Sequence, residues 1–325
     1  MIHVDSYTAF DESGWRRLIE ELNGGPLLIP NVWSNGADDS LLYLIFKKDG
    51  DDIGAALALP SSKSLLQFLT VSKSLFLPTV PAIKQGSLED QDEIYEIYEA
   101  LMGFCSEKGY RELKQDTRWG YDFSGHKDLR GFIQARLIEF VVDLRLDSDT
   151  ILKSFHKKHR KNIRIARESG LQVVMDKTLD GVMALRAMQQ DSSRRSIEKG
   201  NPYQVQDEEV YRALFENVYC KDFGNILFAQ QEGEYVASLA YLVFDRKAIT
   251  VRSGATPKGY ELFAMYLLQY ELIERLKEQG VEELNIGGVP AAAREAGHPQ
   301  HGLYDYKRYY GGMELMRTSL KITIK

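Results

Sequence analysis

Apolar and polar positions along the chain fall into two sets of elements that echo each other. Leu41 to Phe46 is an apolar run, followed by the polar turn Lys47–Asp52 and a second run with Gly54-Ala55-Ala56 inside it. Much later, Ile226 to Ala229 leads into the turn Gln230–Glu234 and then Tyr235 to Phe244, with Ala237-Ser238 inside. Short apolar runs flanking a glycine-containing turn predict a β-hairpin in each place.

The echo continues downstream. Ser87 and Asp90 resemble a capping box, and Ile94, Ile97, Tyr98, Leu101, Met102 and Cys105 recur at helical spacing. Gly109 stops this helix, and Tyr110 to Lys114 has the character of a strand. In the later set, Leu262, Met265, Tyr266, Ile273 and Leu276 give one face of a helix over about 260–278; Gly280 stops it and Val281 to Ile286 follows as a strand. A glycine at each stop fits a left-handed C-cap. Each half is therefore hairpin, further strand, helix, strand, an α/β (α+β) module with a mixed central sheet flanked by helices. Two unrelated α/β domains sharing this order by chance is the competing account.

Between the halves lie a strand over Ala135–Leu144, a long basic helix over about 148–169, and helices near 180–190 and 207–218. The tail Leu320–Ile324 alternates like a half-buried strand. Asp147 or Ser148 is placed to cap the basic helix. Leu152, Phe155, Ile163 and Ala166 form its apolar side, while Lys153, Lys157, Arg160, Arg164 and Arg167 share an arc of about 80°. Like charges one turn apart repel. This stripe is either a cradle for phosphates, with Arg160 and Arg164 suited to bidentate contacts, or a solvated face. His156 and His159 on the same helix read as packing or rim residues.

Composition narrows the functional classes. A chain of 325 residues accommodates about two domains, and 44% hydrophobic with 27% charged residues is a globular balance. A net charge of -6 excludes a general polyanion binder, so DNA is not an expected partner and any phosphate site is a local patch. The 2 cysteines, Cys105 and Cys220, make no disulfide framework, and Cys105 falls on an apolar helix face. The 6 histidines lack zinc-ligand spacing, so no metal is expected. Met1 to Asp5 starts no basic-then-apolar leader, and no uncharged apolar run approaches the ~20 residues of a membrane helix. The expected location is the cytoplasm, with no integral membrane segment.

A second candidate for chemistry follows the strand at 281–286. Gly287-Gly288 stands at its end, a polar loop runs to His301, and then come Gly302-Leu303-Tyr304-Asp305-Tyr306-Lys307 and Gly311-Gly312. Paired glycines permit close backbone approach to a ligand. Tyrosine and lysine beside them can offer hydrogen bonds and positive charge to an oxyanion.

Three stretches together resemble the FemAB-type peptidoglycan aminoacyltransferases and their GNAT-like acyltransferase relatives. They are Val142-Asp143-Leu144 with Lys157-Lys158-His159-Arg160-Lys161-Asn162-Ile163-Arg164 and Ala166; Ser253-Gly254-Ala255; and Gly287-Gly288 with the Gly302–Gly312 segment. The resemblance implies tandem GNAT-like domains. The first spans 1–142 and is joined by a returning strand over 313–325; the second spans 143–312. It places Lys307 at the acyl-transfer centre, with Tyr304 assisting and Tyr306 beside it. It turns Arg194 or Arg195 toward an anionic acceptor, and Asp116 toward a groove or, on its own residue type, into a turn.

The resemblance also sets the chemistry. The implied reaction is direct attack by an amine of a cell-envelope or polysaccharide precursor on an activated acyl or aminoacyl group. The co-substrate is acyl-CoA or aminoacyl-tRNA, with no permanently bound cofactor. Partners are then a phosphorylated or nucleotide-linked small-molecule acceptor and, with the second donor, tRNA. Tyr306 stands where the family has Phe, the long helical arm of some members is missing, and Thr256-Pro257-Lys258-Gly259-Tyr260 lacks a glycine-rich pyrophosphate pattern. The alternative is a catalytically inactive GNAT-like module that binds a phosphorylated ligand.

Overall fold

The computed structural model describes residues 1–33, 41–64, 71–84, 91–116, 121–198, 200 and 203–324, with backbone alone at 61–64, 71–72 and 91–92. The capping pair Ser87 and Asp90 lies outside the described residues. Two compact units are present: Met1–Leu137 with Met316–Lys325, and Ile138–Leu315.

The first unit contains β1 (Ile2–Tyr7), α1 (Glu12–Glu21), β2 (Leu42–Lys48), β3 (Asp51–Ser64), β4 (Val71–Leu77), β5 (Ala82–Ile83), α2 (Gln91–Glu107) and β6 (Glu112–Asp116). Strand β7 (Ile133–Asp143) passes from this unit into the second. The second unit continues with α3 (Ser148–Ser154), α4 (Lys157–Glu168), β8 (Gln172–Met175), α5 (Leu179–Glu198), α6 (Glu208–Leu214), β9 (Gly224–Gln231), β10 (Glu234–Phe244) and β11 (Lys247–Ala255). It ends with α7 (Pro257–Glu261), α8 (Ala264–Glu278), β12 (Glu283–Pro290) and α9 (His301–Arg308), and β13 (Met313–Thr323) returns to the first unit.

Strand order in the first unit is β1-β2-β3-β4-β6-β13, with β5 on β3. In the second it is β7-β12-β11-β10-β9-β8. Both sheets are mixed. Strands β2 and β3 form an antiparallel hairpin whose two turn residues, Asp49 and Gly50, both have positive φ. Strands β9 and β10 do the same through Glu232 and Gly233. Such mirror-image turns match strand twist, and they favour glycine at the second position. In each unit a parallel pair follows, β4 with β6 and β11 with β12. The intervening helix stops at a glycine in left-handed conformation, Gly109 at φ 75 and Gly280 at φ 78. The mixed α/β fold and its internal echo are therefore present.

In the first unit the core gathers Leu44, Phe46, Leu75, Ile97, Tyr98, Leu101 and Leu113. Cys105 is buried among them, and burial pushes its thiol up to about 12, so it packs as a hydrophobe. In the second, Phe140, Phe155, Ile163, Leu227, Phe228, Leu268 and Leu284 are buried.

Two expected helices are broken. The basic stretch is not one helix over 148–169 but α3 and α4, because Phe155 and His156 turn extended at ψ 139 and 144. The break is filled from within: Asp147 caps α3 at Thr150 N, the His156 ring accepts from Lys158 N, and Arg160 Nη1 donates to the carbonyls of Lys153 and Phe155. Lys153 consequently belongs to a different helix from the other cations of the stripe. The helix expected over 260–278 is likewise divided into α7 and α8 by Phe263, a non-glycine residue at φ 55. The Gly302–Gly312 segment, open to a turn or strand start on sequence grounds, is mostly the helix α9.

Candidate functional site

The parallel pair β11–β12 opens part-way along. Its register covers Lys247–Ile249 against Glu283–Asn285, whereas β11 continues to Ala255 and β12 to Pro290. The opening coincides with Gly287, at φ 78. Only glycine takes that conformation without strain. A Cβ at Gly287 would lie 2.8 Å from Lys307 Nζ, and the Lys307 ammonium donates to the Ile286 carbonyl at 2.6 Å. The lysine thus sits over the positive-φ glycine. Gly288 answers a different demand, since a Cβ there would fall 2.5 Å from the Ile138 carbonyl of β7.

Two buried polar residues hold the base of this corner. Glu139 of β7 is 0% exposed and accepts from Asn285 Nδ2 at 3.0 Å, while Asn285 Oδ1 accepts from Gly287 N at 2.8 Å. Neither was among the sequence candidates. The signal was present: a lone Glu inside Ile138-Glu139-Phe140-Val141-Val142, and a lone Asn inside Leu284-Asn285-Ile286. A charge or amide in an apolar strand needs a partner.

Helix α9 presents its tyrosines in two directions. Tyr304 is buried against Phe140 at a ring distance of 5.7 Å; burial raises its pKa, and its hydroxyl is engaged by Glu314 and Arg294. Tyr306 turns the other way, accepting from the Tyr310 hydroxyl at 3.1 Å and packing against Tyr266 and His159. Burial raises the Tyr306 pKa, with smaller contributions from Tyr266 and Tyr260. Lys307 and Tyr304 share a helix but have separate partners.

On α4, Lys157, Arg160 and Arg164 are exposed. Arg160 spends part of its guanidinium on the α3 carbonyls, and Arg164 lies 3.6 Å from Glu168. Arg167 pairs with Glu271 at 3.4 Å and covers the Tyr270 ring at 4.5 Å, fastening α4 to α8. His159 is buried in a cage of Tyr266, Tyr306, Tyr309 and Tyr310, and burial pulls its pKa down to about 4.

Arg194 and Arg195 line a cavity of about 610 Å³ with Asp191, Glu198, Ala255, Pro257, Tyr260 and Glu261. Arg194 pairs with Asp191 one turn away. The Arg195 guanidinium carbon lies 3.8 Å over the centre of the Tyr260 ring, and the Tyr260 hydroxyl meets Ser192 Oγ at 2.9 Å. The loop after β11 is self-satisfied: Thr256 Oγ1 accepts from Gly259 N at 3.1 Å, and a Cβ at Gly259 would strike the Val236 carbonyl at 2.1 Å. Asp116 belongs to the first unit, where its carboxylate pairs with the buried Arg317. All the other sequence candidates belong to the second unit. Among the described residues no group of three or more His, Cys, Asp or Glu could hold a metal, and no helix is long and apolar enough to cross a membrane.

Comparison with known proteins shows what the segment and the fold are similar to. Residues 153–308 match the family model described as an acetyltransferase (GNAT) domain. This segment, which carries Lys307 and its surroundings, is similar to GNAT acetyltransferase domains, and the chain shares its fold with solved structures that include FemX and a tandem GNAT protein. Solved structures share the fold at low identity. FemX is 10% identical with TM-score 0.75, covering 97% of this chain and 96% of that one. A tandem GNAT protein from the clavulanic acid biosynthesis pathway is 12% identical with TM-score 0.56, covering 100% and 99%. The C-terminal domain of a putative lysylphosphatidylglycerol synthetase from Agrobacterium fabrum is 13% identical with TM-score 0.53, covering 95% and 92%. No curated protein matches the sequence.

Proposed function

We propose that the protein is an N-acyltransferase that passes an activated acyl or aminoacyl group to an amine of a cell-envelope or polysaccharide precursor. The observation that carries this reading is Lys307 held over Gly287 where β11 and β12 separate, inside the segment that matches the GNAT model. Past Ile249 and Asn285 these two strands no longer pair with each other, which leaves a slot bordered by backbone groups. An extended acyl donor can enter it and bring its carbonyl to the lysine.

The chemistry follows from charge. As the neutral amine attacks, a C–N bond forms and the carbonyl oxygen becomes an oxyanion; the C=O bond then re-forms, the bond to the donor's thiol sulfur or ribose oxygen breaks, and the proton released by the amine nitrogen goes to that leaving group. Lys307 supplies positive charge to that oxyanion, and the Gly287–Gly288 backbone permits the close approach. Alignment of donor and amine can contribute about 7–11 kcal/mol of barrier reduction. Arg195, over Tyr260 in the 610 Å³ cavity, faces the anionic part of the acceptor, and the α4 cations hold phosphates of the donor or acceptor. The relatives named FemX and lysylphosphatidylglycerol synthetase support an envelope acceptor and an aminoacyl donor; the GNAT match supports acyl-CoA.

One observation favours the second reading, a catalytically inactive module for a phosphorylated ligand. Gly259 N is occupied by its own cap and Gly259 is required by packing against Val236, so this loop offers no open turn to a diphosphate. Melting the protein with acetyl-CoA, charged tRNA and uncharged tRNA separates these cases. A bound donor at ~100 times its Kd stabilises the native state by about 2.7 kcal/mol. A shift with acetyl-CoA alone, or with charged tRNA alone, assigns the donor; silence with all three favours the phosphorylated-ligand module.

A further inference from the structure

The start of α4 and the end of α9 are interlocked, and the contact that joins them stands one residue from Lys307. Helix α9 ends at Arg308, so its last carbonyls have no amide of the next turn to bind. The Tyr310 amide, which a continuing helix would direct to Tyr306, bonds Lys307 O instead. The Tyr306 carbonyl is satisfied by His159 Nε2 at 2.8 Å. A carbonyl can only accept, so Nε2 carries the proton and the ring is the Nε2–H tautomer. One turn on, the Tyr309 carbonyl accepts from His156 N at 2.9 Å, and the His156 ring stacks on Tyr309 at 4.2 Å. Gly311, at φ 68, packs so closely on α3 that a Cβ would lie 2.3 Å from Ser154 Oγ.

We propose that His159 is a positioning residue for Lys307: by capping the Tyr306 carbonyl it fixes the last turn of α9 and thereby holds the Lys307 ammonium on the Ile286 carbonyl above Gly287. The environment of the ring fits a neutral donor. His159 is 1% exposed and enclosed by Tyr266, Tyr306, Tyr309 and Tyr310, and its pKa is pulled down to about 4 by burial. Its Nδ1 is buried without a hydrogen-bond partner among the described residues. A site that tolerates such an atom is not optimised for stability alone, since an unsatisfied buried group is unfavourable. The function of the arrangement rests on the acyltransferase reading; the positioning of Lys307 does not.

The test therefore reads Lys307 directly. Full-length protein is pulsed with trace acetic anhydride, and acetylation of Lys307 is measured by mass spectrometry relative to Lys247 on β11. His159→Phe keeps a ring among the tyrosines and removes the donor. Lys307 should then acetylate about fivefold faster, the ratio worth one neutral hydrogen bond. His159→Gln, whose amide nitrogen can reach the same carbonyl, should label like the wild type. Unchanged Lys307 labelling in the Phe variant overturns the proposal. If that variant does not fold, His159→Asn, too short to reach, replaces it, and equal labelling of the Asn and Gln variants is the overturning result. In turnover, His159→Phe should lower kcat and leave KM for the donor unchanged. A wild type inactive with every donor sinks the acyltransferase reading and leaves the labelling result standing.

Discussion

The two parallel strand pairs, built from the same order of hairpin, strand, helix and strand, end differently. In the first unit the register of β4 with β6 runs Ser74–Leu77 against Glu112–Gln115, which reaches the last residue of β4 and all but the last described residue of β6. The end is plugged: buried Tyr98 of α2 donates to Gln115 Oε1, and Gln115 Nε2 reaches the Thr79 carbonyl at 3.4 Å. In the second unit β11 and β12 run on past their last pair, and Gly287, at positive φ beyond it, lies under the Lys307 ammonium. The first pair is finished as core, and the second is left open at the place proposed as the site. Fold alone does not make chemistry, because two copies of one architecture carry different groups at the corresponding place.

The largest effect expected from disturbing this difference is at Lys307. Lys307→Met should lower turnover by about 10²–10³-fold, the loss typical of one oxyanion donor, in a protein that still unfolds cooperatively. Next comes acid stability. His159 has an ordinary pKa of 6.5 and a folded value of about 4, so its unfolded form binds the proton more readily. Its contribution is intact above pH 6.5 and is lost as pH falls to about 4, on the order of 3 kcal/mol in all. The four caging tyrosines bring no negative charge there, while His156 and Lys158 further disfavour protonation. Denaturant titrations at pH 7 and 4.5 should show this limb flattened in His159→Gln.

In the plugged pair, Tyr98→Phe should cost about 1–3 kcal/mol by leaving the buried Gln115 oxygen short of a donor, with turnover unchanged. The smallest effects distinguish two glycines. Gly50→Ala and Gly287→Ala both force a side chain into positive φ, at about 1–2 kcal/mol each. Only the second meets Lys307, so only the second should also reduce turnover; a Cβ at Gly50 meets nothing within 4 Å.

Much of the scaffold was legible in sequence because it is written locally. Hairpin turns at Gly50 and Gly233, the α2 periodicity and the stops at Gly109 and Gly280 each depend on neighbours a few residues away. The breaks at Phe155–His156 and Phe263 were not legible, and the first is imposed by packing. Phe155 is buried against Tyr310, and Arg160 replaces the amides that a continuous helix would have supplied. The Gly287–Lys307 juxtaposition combined a resemblance with two glycines, but Glu139, Asn285 and His159 act through partners distant in sequence. The bond between Asn285 and Glu139 spans 146 positions, and that between His159 and Tyr306 spans 147. Periodicity carries no information at that range.

In the proposed function the open strand pair receives the donor. Amide hydrogen exchange with acetyl-CoA or charged tRNA, whichever raises the melting temperature, tests it most directly. The account predicts new protection in Thr250–Ala255 and Ile286–Pro290, and none in Ser74–Leu77 or Glu112–Asp116. Protection confined to the β4–β6 pair, or absent from both while the donor is bound, would contradict it.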